Sequence, residues 1–230
     1  MGRPHRAAAG GYVYHVLNRA NARMTIFEDQ EGFAAFENVL SQAVERSHMR
    51  LLAYCLMPNH WHLVLWPKQA ADLSRFFGWV CTTHVRRWRM HRHSNGEGHL
   101  YQGRFKSFPI QRDEHLLKVM AYVEANPLRA KLVERAQDWP FSSLWAGERP
   151  AESRVQLADG LLRRPADWLQ RVNRSLSEDE LERLRTSVNR GRPYGAERWT
   201  EAAAARLGLE SSLRSPGRPR KAAWGGTKGE

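Results

Sequence analysis

Over residues 11–19 apolar and polar positions alternate well enough to predict a first strand. A loop follows over residues 21–29. From Glu31 onward Phe33, Phe36, Leu40, Ala43 and Val44 recur at helical spacing, which predicts an amphipathic helix to about Ser47 with Asp29 as its cap. An apolar run over residues 51–57 stops at Pro58-Asn59, a turn-forming pair, and a second run follows at once as far as Trp66. Two short apolar runs across so tight a break predict paired strands. Asp72 then opens a second helix, with Leu73, Phe76, Phe77, Val80, Cys81, Val85 and Trp88 on one face. Its other faces are crowded with Arg75, Arg86, Arg87, Arg89 and Arg92. After a polar loop over residues 91–98, basic and aromatic residues interleave through a fourth strand at 101–110. A third helix begins near Asp113-Glu114, carries Leu116, Leu117, Met120 and Val123, and ends near Ala125, because the residue before Pro127 is pushed out of helical geometry. Pro127 opens a short further helix through Val133.

The order is therefore strand, helix, strand, strand, helix, strand, helix. Its first six elements are those of the split βαβ motif, an α+β, ferredoxin-like antiparallel sheet with helices on one face. A first folded domain over residues 1–145 is expected, with Trp139, Phe141 and Trp145 packing a tail onto it. Residues 146–230 form a basic extension, partly helical and partly irregular, with helices at about 178–188 and 199–209. The stretch at 215–221 is basic and unstructured when free.

Charge narrows the function classes. Among 230 residues, 36 Lys and Arg face 24 Asp and Glu, a net charge of +12 that favours a polyanionic partner, nucleic acid first and a membrane surface second. No segment approaches the ~20 apolar residues of a spanning helix, and the first residues lack a signal-peptide apolar core. No membrane insertion and a cytoplasmic location are expected. The two cysteines, Cys55 and Cys81, sit in apolar runs and read as small buried hydrophobes.

Three groups of residues carry candidate chemistry. On a strand His60 and His62 project from one face and Trp61 from the other, so the imidazoles can chelate one metal ion or simply be satisfied by hydrogen bonds. On the third helix Lys118 and Asn126 fall within about 40° of Tyr122, on the flank of the apolar stripe. A tyrosine there can reach the neighbouring sheet, and a phenol becomes a useful nucleophile once a cation or base assists it, for which Lys118 or a metal is suitable. The plain alternatives are a packing tyrosine at Tyr122 and a helix cap at Asn126. The arginines of the second helix (Arg75, Arg86, Arg87 and Arg89), with Arg104 and Lys106, suit a nucleic-acid backbone track with base stacking, or else a solvated basic face. Arg190-Gly191-Arg192-Pro193 and Gly217-Arg218-Pro219-Arg220 resemble minor-groove hooks, although linker is the simpler reading.

Residues 57–64 (Met-Pro-Asn-His-Trp-His-Leu-Val), 101–107 (Tyr-Gln-Gly-Arg-Phe-Lys-Ser) and 122–130 (Tyr-Val-Glu-Ala-Asn-Pro-Leu-Arg-Ala) together closely resemble the REP-associated tyrosine transposases. These belong to the HUH single-tyrosine transposases of bacterial insertion sequences. The resemblance spans about residues 11–145 and includes Asp138-Trp139-Pro140-Phe141-Ser142-Ser143. It implies a ferredoxin-like fold with the histidine pair on a central strand, which agrees with the pattern above. It further implies that His60, His62 and Asn126 hold one Mg²⁺ or Mn²⁺, and that Tyr122 attacks phosphorus to leave a 5′-phosphotyrosine and a free 3′-hydroxyl. The implied partner is single-stranded DNA bearing short imperfect hairpins, handled by a monomer or a homodimer. Two other classes compete: a domesticated hairpin-binding protein without cleavage, and a metallohydrolase that uses His60 and His62 with water as nucleophile.

Overall fold

The alternating pattern resolves into four strands, β1 (Val13–Arg19), β2 (Arg50–Met57), β3 (His60–Trp66) and β4 (Lys106–Ile110). They form one antiparallel sheet in the order β2-β3-β1-β4. Helix α1 (Gln30–Ser47) joins β1 to β2, and α2 (Asp72–Arg92) joins β3 to β4, which is the ferredoxin-like order the sequence predicts. The computed structural model describes residues 9–92, 98–160, 162–174 and 176–214; the basic stretch at 215–221 lies outside them.

Helices α1 and α2 share one face of the sheet. Phe36 and Leu40 from α1 and Phe77 and Val80 from α2 are buried there with Trp61, Leu63 and Leu65. Trp61 stacks on Phe77, with centroids 5.4 Å apart and rings 3° from parallel. Asp29 caps α1 as expected, its Oδ1 accepting from Gly32 N at 2.8 Å. The other face carries α3 (Glu114–Glu124), whose Val119, Met120 and Val123 pack with Val64, Phe108 and Ile110. Burial on both faces explains why β2 and the C-terminal half of β3 read as continuous apolar runs.

Two expected elements are shorter than their sequence pattern. The fourth strand was expected over 101–110, but its ladder begins at Lys106. Tyr101 makes only an isolated bridge to Ala20, and Gln102, Gly103 and Arg104 turn out into solvent, with Gln102 N bonded to Arg19 O at 3.0 Å. The helix opened by Pro127, α4 (Asn126–Arg129), stops four residues before Val133, because Lys131 adopts a left-handed φ of 57°. Beyond it follow α5 (Ser143–Glu148), α6 (Trp168–Asn173), α7 (Glu178–Arg190) and α8 (Glu197–Leu207). Residue 145 falls inside α5. Past α7 the chain runs beside β4, where Tyr194 N donates to Pro109 O and Gln111 N to Tyr194 O, each at 2.9 Å.

One buried carboxylate ties the extension to α3. Glu124 is fully buried and accepts from Ser143 Oγ (2.5 Å), Arg164 Nη2 (2.6 Å) and Trp168 Nε1 (2.8 Å). Breaking one side of such a pair strands the other charge, so Glu124→Gln is expected to cost about 3 kcal/mol of stability. Denaturant titration checks this, and Glu124→Leu combined with Arg164→Leu should recover part of the loss.

Beneath the sheet's first face Trp61 Nε1 donates to Tyr101 Oη at 3.0 Å, which leaves the phenol proton for His84 Nδ1 at 2.6 Å. Burial pushes the His84 pKa down to about 3. An unfolded histidine titrates near 6.5, so stability from this group is full above that pH and falls as pH drops toward 3. His84→Asn keeps an acceptor but cannot titrate. Wild type should lose about 2 kcal/mol more than this variant between pH 7 and pH 5, read from urea melts at each pH.

Candidate active site

Register across the sheet sets the floor of the site. Met57, His60 and Arg19 form one row across β2, β3 and β1, and Cys55, His62, Leu17 and Lys106 form the next row, extending onto β4. Paired residues of adjacent strands share a face, so both imidazoles, Arg19 and Lys106 look toward α3. The tight Pro58-Asn59 turn holds His60 at the rim. Pro58 O accepts from Ile26 N (2.8 Å) and Phe27 N (3.1 Å), while Asn59 O accepts from Ala20 N (2.9 Å).

Hydrogen bonds orient each imidazole. Asn59 Nδ2 donates to Arg23 O at 3.3 Å, so its Oδ1 faces His60 Nδ1 at 2.6 Å and takes a proton from it. That tautomer leaves the His60 Nε2 lone pair free. His62 Nδ1 lies 2.9 Å from Nε2 of His15, a diagonal neighbour on β1, and the rings stack with centroids 5.1 Å apart. Burial, with a smaller contribution from Arg19, lowers the His60 pKa to about 4. Burial lowers His62 well below the usual imidazole range, assisted by His60, His15, Arg19 and Arg129, and lowers His15 to about 3. At neutral pH all three rings are uncharged, the form in which imidazole binds metals.

Helix α3 brings Tyr122 over this floor. Its ring meets His62 edge-on at 6.0 Å and His15 at 6.3 Å. Asn126, one turn later, donates Nδ2 to Tyr122 O (2.9 Å) and Val123 O (3.2 Å). Those bonds settle the amide orientation and leave its Oδ1 free. Two neutral imidazoles with free nitrogens and an amide oxygen on one cleft form a donor set that fits a divalent ion with open positions. Among the described residues there is no group of three or more His, Cys, Asp or Glu side chains placed to hold a metal.

His60, His62, Tyr122 and Asn126 line a single cleft of about 560 Å³. Lys118, expected beside Tyr122, is not in it. Its Nζ donates to Glu180 Oε1 at 2.8 Å, a bond that pushes the Lys118 pKa up, and the pair lines a separate cavity. The helical angle that groups Lys118 with Tyr122 takes no account of α7, whose carboxylate captures the lysine. The cation actually beside the phenol is Arg129, its guanidinium 4.8 Å from the ring centroid.

The predicted DNA-contact residues divide. Arg104 and Lys106 line the cleft, whereas Arg75, Arg86, Arg87 and Arg89 lie outside it on α2. Arg87 Nη2 donates to Gln42 Oε1 at 3.0 Å and Arg89 Nη2 to Gly98 O at 2.9 Å. Arg89 also flanks a second groove of about 550 Å³, floored by Phe77, Val85, Leu100 and Phe105. The two hollows share Asn18, Gly103 and Arg104, so they adjoin at the turn that replaces the start of the fourth strand. Arg19 and Arg129 line the cleft and His15 lies buried against His62 outside its lining, and the sequence pattern singled out none of the three. Alternation with His15, Leu17 and Arg19 on one face was the available signal, but it points to a site only once β1 is known to pair with β3.

A four-stranded antiparallel sheet with two imidazoles on a central strand facing a tyrosine helix defines the class. The family model described as IS200-like transposase matches residues 9–126, and the chain belongs to that family. A Haemophilus influenzae protein named as a REP-associated tyrosine transposase is 27% identical over 116 residues, covering 47% of this chain and 66% of that relative. The match thus spans just under two thirds of the relative's length. In fold the chain is similar to a REP-associated tyrosine transposase solved with a REP hairpin, at a TM-score of 0.53 and 17% identity over 69% of this chain and 93% of the other. Among the described residues no helix is long and apolar enough to cross a membrane.

Proposed function

We propose that this protein cleaves and rejoins single-stranded DNA carrying hairpins through a 5′-phosphotyrosine intermediate. The observation that carries the reading is the meeting of Tyr122 with His60, His62 and Asn126 in one cleft, from elements about sixty residues apart in the chain. Tyr122 Oη forms a bond to phosphorus, the bond from phosphorus to the 3′-oxygen breaks, the phenol proton passes to water, and the 3′-oxygen takes a proton from water to leave as the 3′-hydroxyl. The phosphodiester energy stays in the protein–DNA bond, so a later 3′-hydroxyl can reverse the step and join strands. His60, His62 and Asn126 would hold a Mg²⁺ or Mn²⁺ ion, which supplies Lewis acidity at the phosphate. Arg129 lies against the attacking ring, where a guanidinium stabilises negative charge as it develops.

The adjoining hollows on either side of Gly103 and Arg104 suit a strand whose backbone meets Arg104 and Lys106 and whose bases rest on the apolar floor beside Arg89. The relative solved with a REP hairpin supports a hairpin of that kind as the partner. One chain supplies every group named, which supports action as a monomer. Residues 1–145 would be the catalytic unit, with the extension adding Val188 and Asn189 to the cleft wall.

The test is incubation of the full chain with single strands from the flanks of its own gene, with Mg²⁺ or Mn²⁺. A protein–DNA adduct that survives denaturation is expected. Cleavage without an adduct would make water the nucleophile, and hairpin retention without cleavage would leave only a binding protein.

A further inference from the structure

The cleft is cationic to an extent that a metal site alone does not explain. Arg19, Arg104, Lys106 and Arg129 line it, and no Asp or Glu is among its described lining residues. Arg19 stands directly across the β1–β3 ladder from His60, on the same face. Its Nε is buried without a hydrogen-bond partner, a rare condition for a charged donor. A fixed positive charge beside two imidazoles also repels any divalent cation they would hold. Arg19 as a whole is only half-buried and lines the cleft, so an anion there can accept from the rest of its guanidinium and screen that charge from the metal.

We propose that Arg19 binds the DNA phosphate that shares the site with the metal of His60 and His62, so that ion and strand enter cooperatively. This rests on the metal reading above. A protein arranged in this way holds the ion poorly when free and well when the strand is present. By linkage the metal tightens strand binding by the same factor that the strand tightens metal binding.

Mn²⁺ binding to the full-length Tyr122→Phe protein, read from the electron paramagnetic resonance of the free ion, tests this. It is measured with and without an oligothymidylate of about fifteen nucleotides, after subtraction of the ion bound by the oligonucleotide alone. The strand is expected to tighten Mn²⁺ binding by about tenfold or more. Arg19→Gln should reduce that factor to about threefold or less while leaving Mn²⁺ affinity of the free protein equal or higher. Arg19→Lys, which keeps the charge, should retain most of the coupling and shows that loss in the Gln variant is not misfolding. Unchanged coupling in Arg19→Gln, or Mn²⁺ binding equally tight with and without the strand, would overturn the proposal. Coupling that persists in His60→Ala would instead sink the metal reading, whatever Arg19 does.

Discussion

Replacing Tyr122 by Phe is expected to lower strand cleavage by about 10⁴-fold or more while hairpin affinity shifts by only a few-fold. The substitution removes one oxygen and keeps the ring contacts with His62, His15 and Arg129. No hydrogen bond of the hydroxyl is found among the described residues, so folding should be nearly indifferent to its loss. The basic surfaces at Arg104, Lys106 and Arg89 are untouched, which is why binding should survive. Single-turnover cleavage and gel-shift titration on the same hairpin strand separate the two effects. A Phe variant that cuts at the wild-type rate would show that water or another side chain attacks phosphorus.

The parts of the molecule legible in the sequence are those set by local chemistry. A Pro-Asn break between apolar runs fixes a tight turn whatever packs around it, and period two then places His60 and His62 together. Asp29 and Asp113 cap helices through bonds to residues two or three further on, and both caps were readable or nearly so. The misses involve partners brought in from far along the chain. Lys118 is captured by Glu180, sixty-two positions later, and no helical angle anticipates that. Residues 101–105 carry strand-like composition, yet Phe105 turns inward against Phe77 at 4.4 Å while its polar neighbours turn out. His15 looked like an ordinary member of an alternating strand. Its meaning comes from the β1–β3 register, which sets it diagonally beside His62.

That register also shapes the second large effect, on metal-dependent cleavage. His60→Ala and His62→Ala are each expected to abolish it, because either change leaves one imidazole nitrogen for the ion. Asn126→Ala should lose less, since water can take the place of an amide oxygen, and excess Mn²⁺ should rescue it appreciably and the histidine variants little. His15 bears on the same site through a proton. For His62 Nε2 to bind metal, Nδ1 must keep its hydrogen and donate it to His15 Nε2, which is 2.9 Å away. With His15→Leu nothing accepts that proton, and Mn²⁺ affinity in the presence of DNA should fall by about 10- to 100-fold. His15→Gln, whose amide oxygen can accept it, should restore part of the affinity, which separates orientation of His62 from simple filling of the core. Metal titrations of cleavage and of Mn²⁺ binding across these variants, with hairpin binding in EDTA as the folding control, decide the matter. Wild-type activity of His60→Ala with Mg²⁺ alone would remove the metal from the reaction, and rescue of His62→Ala but not of Asn126→Ala would make the amide the stronger of the two ligands.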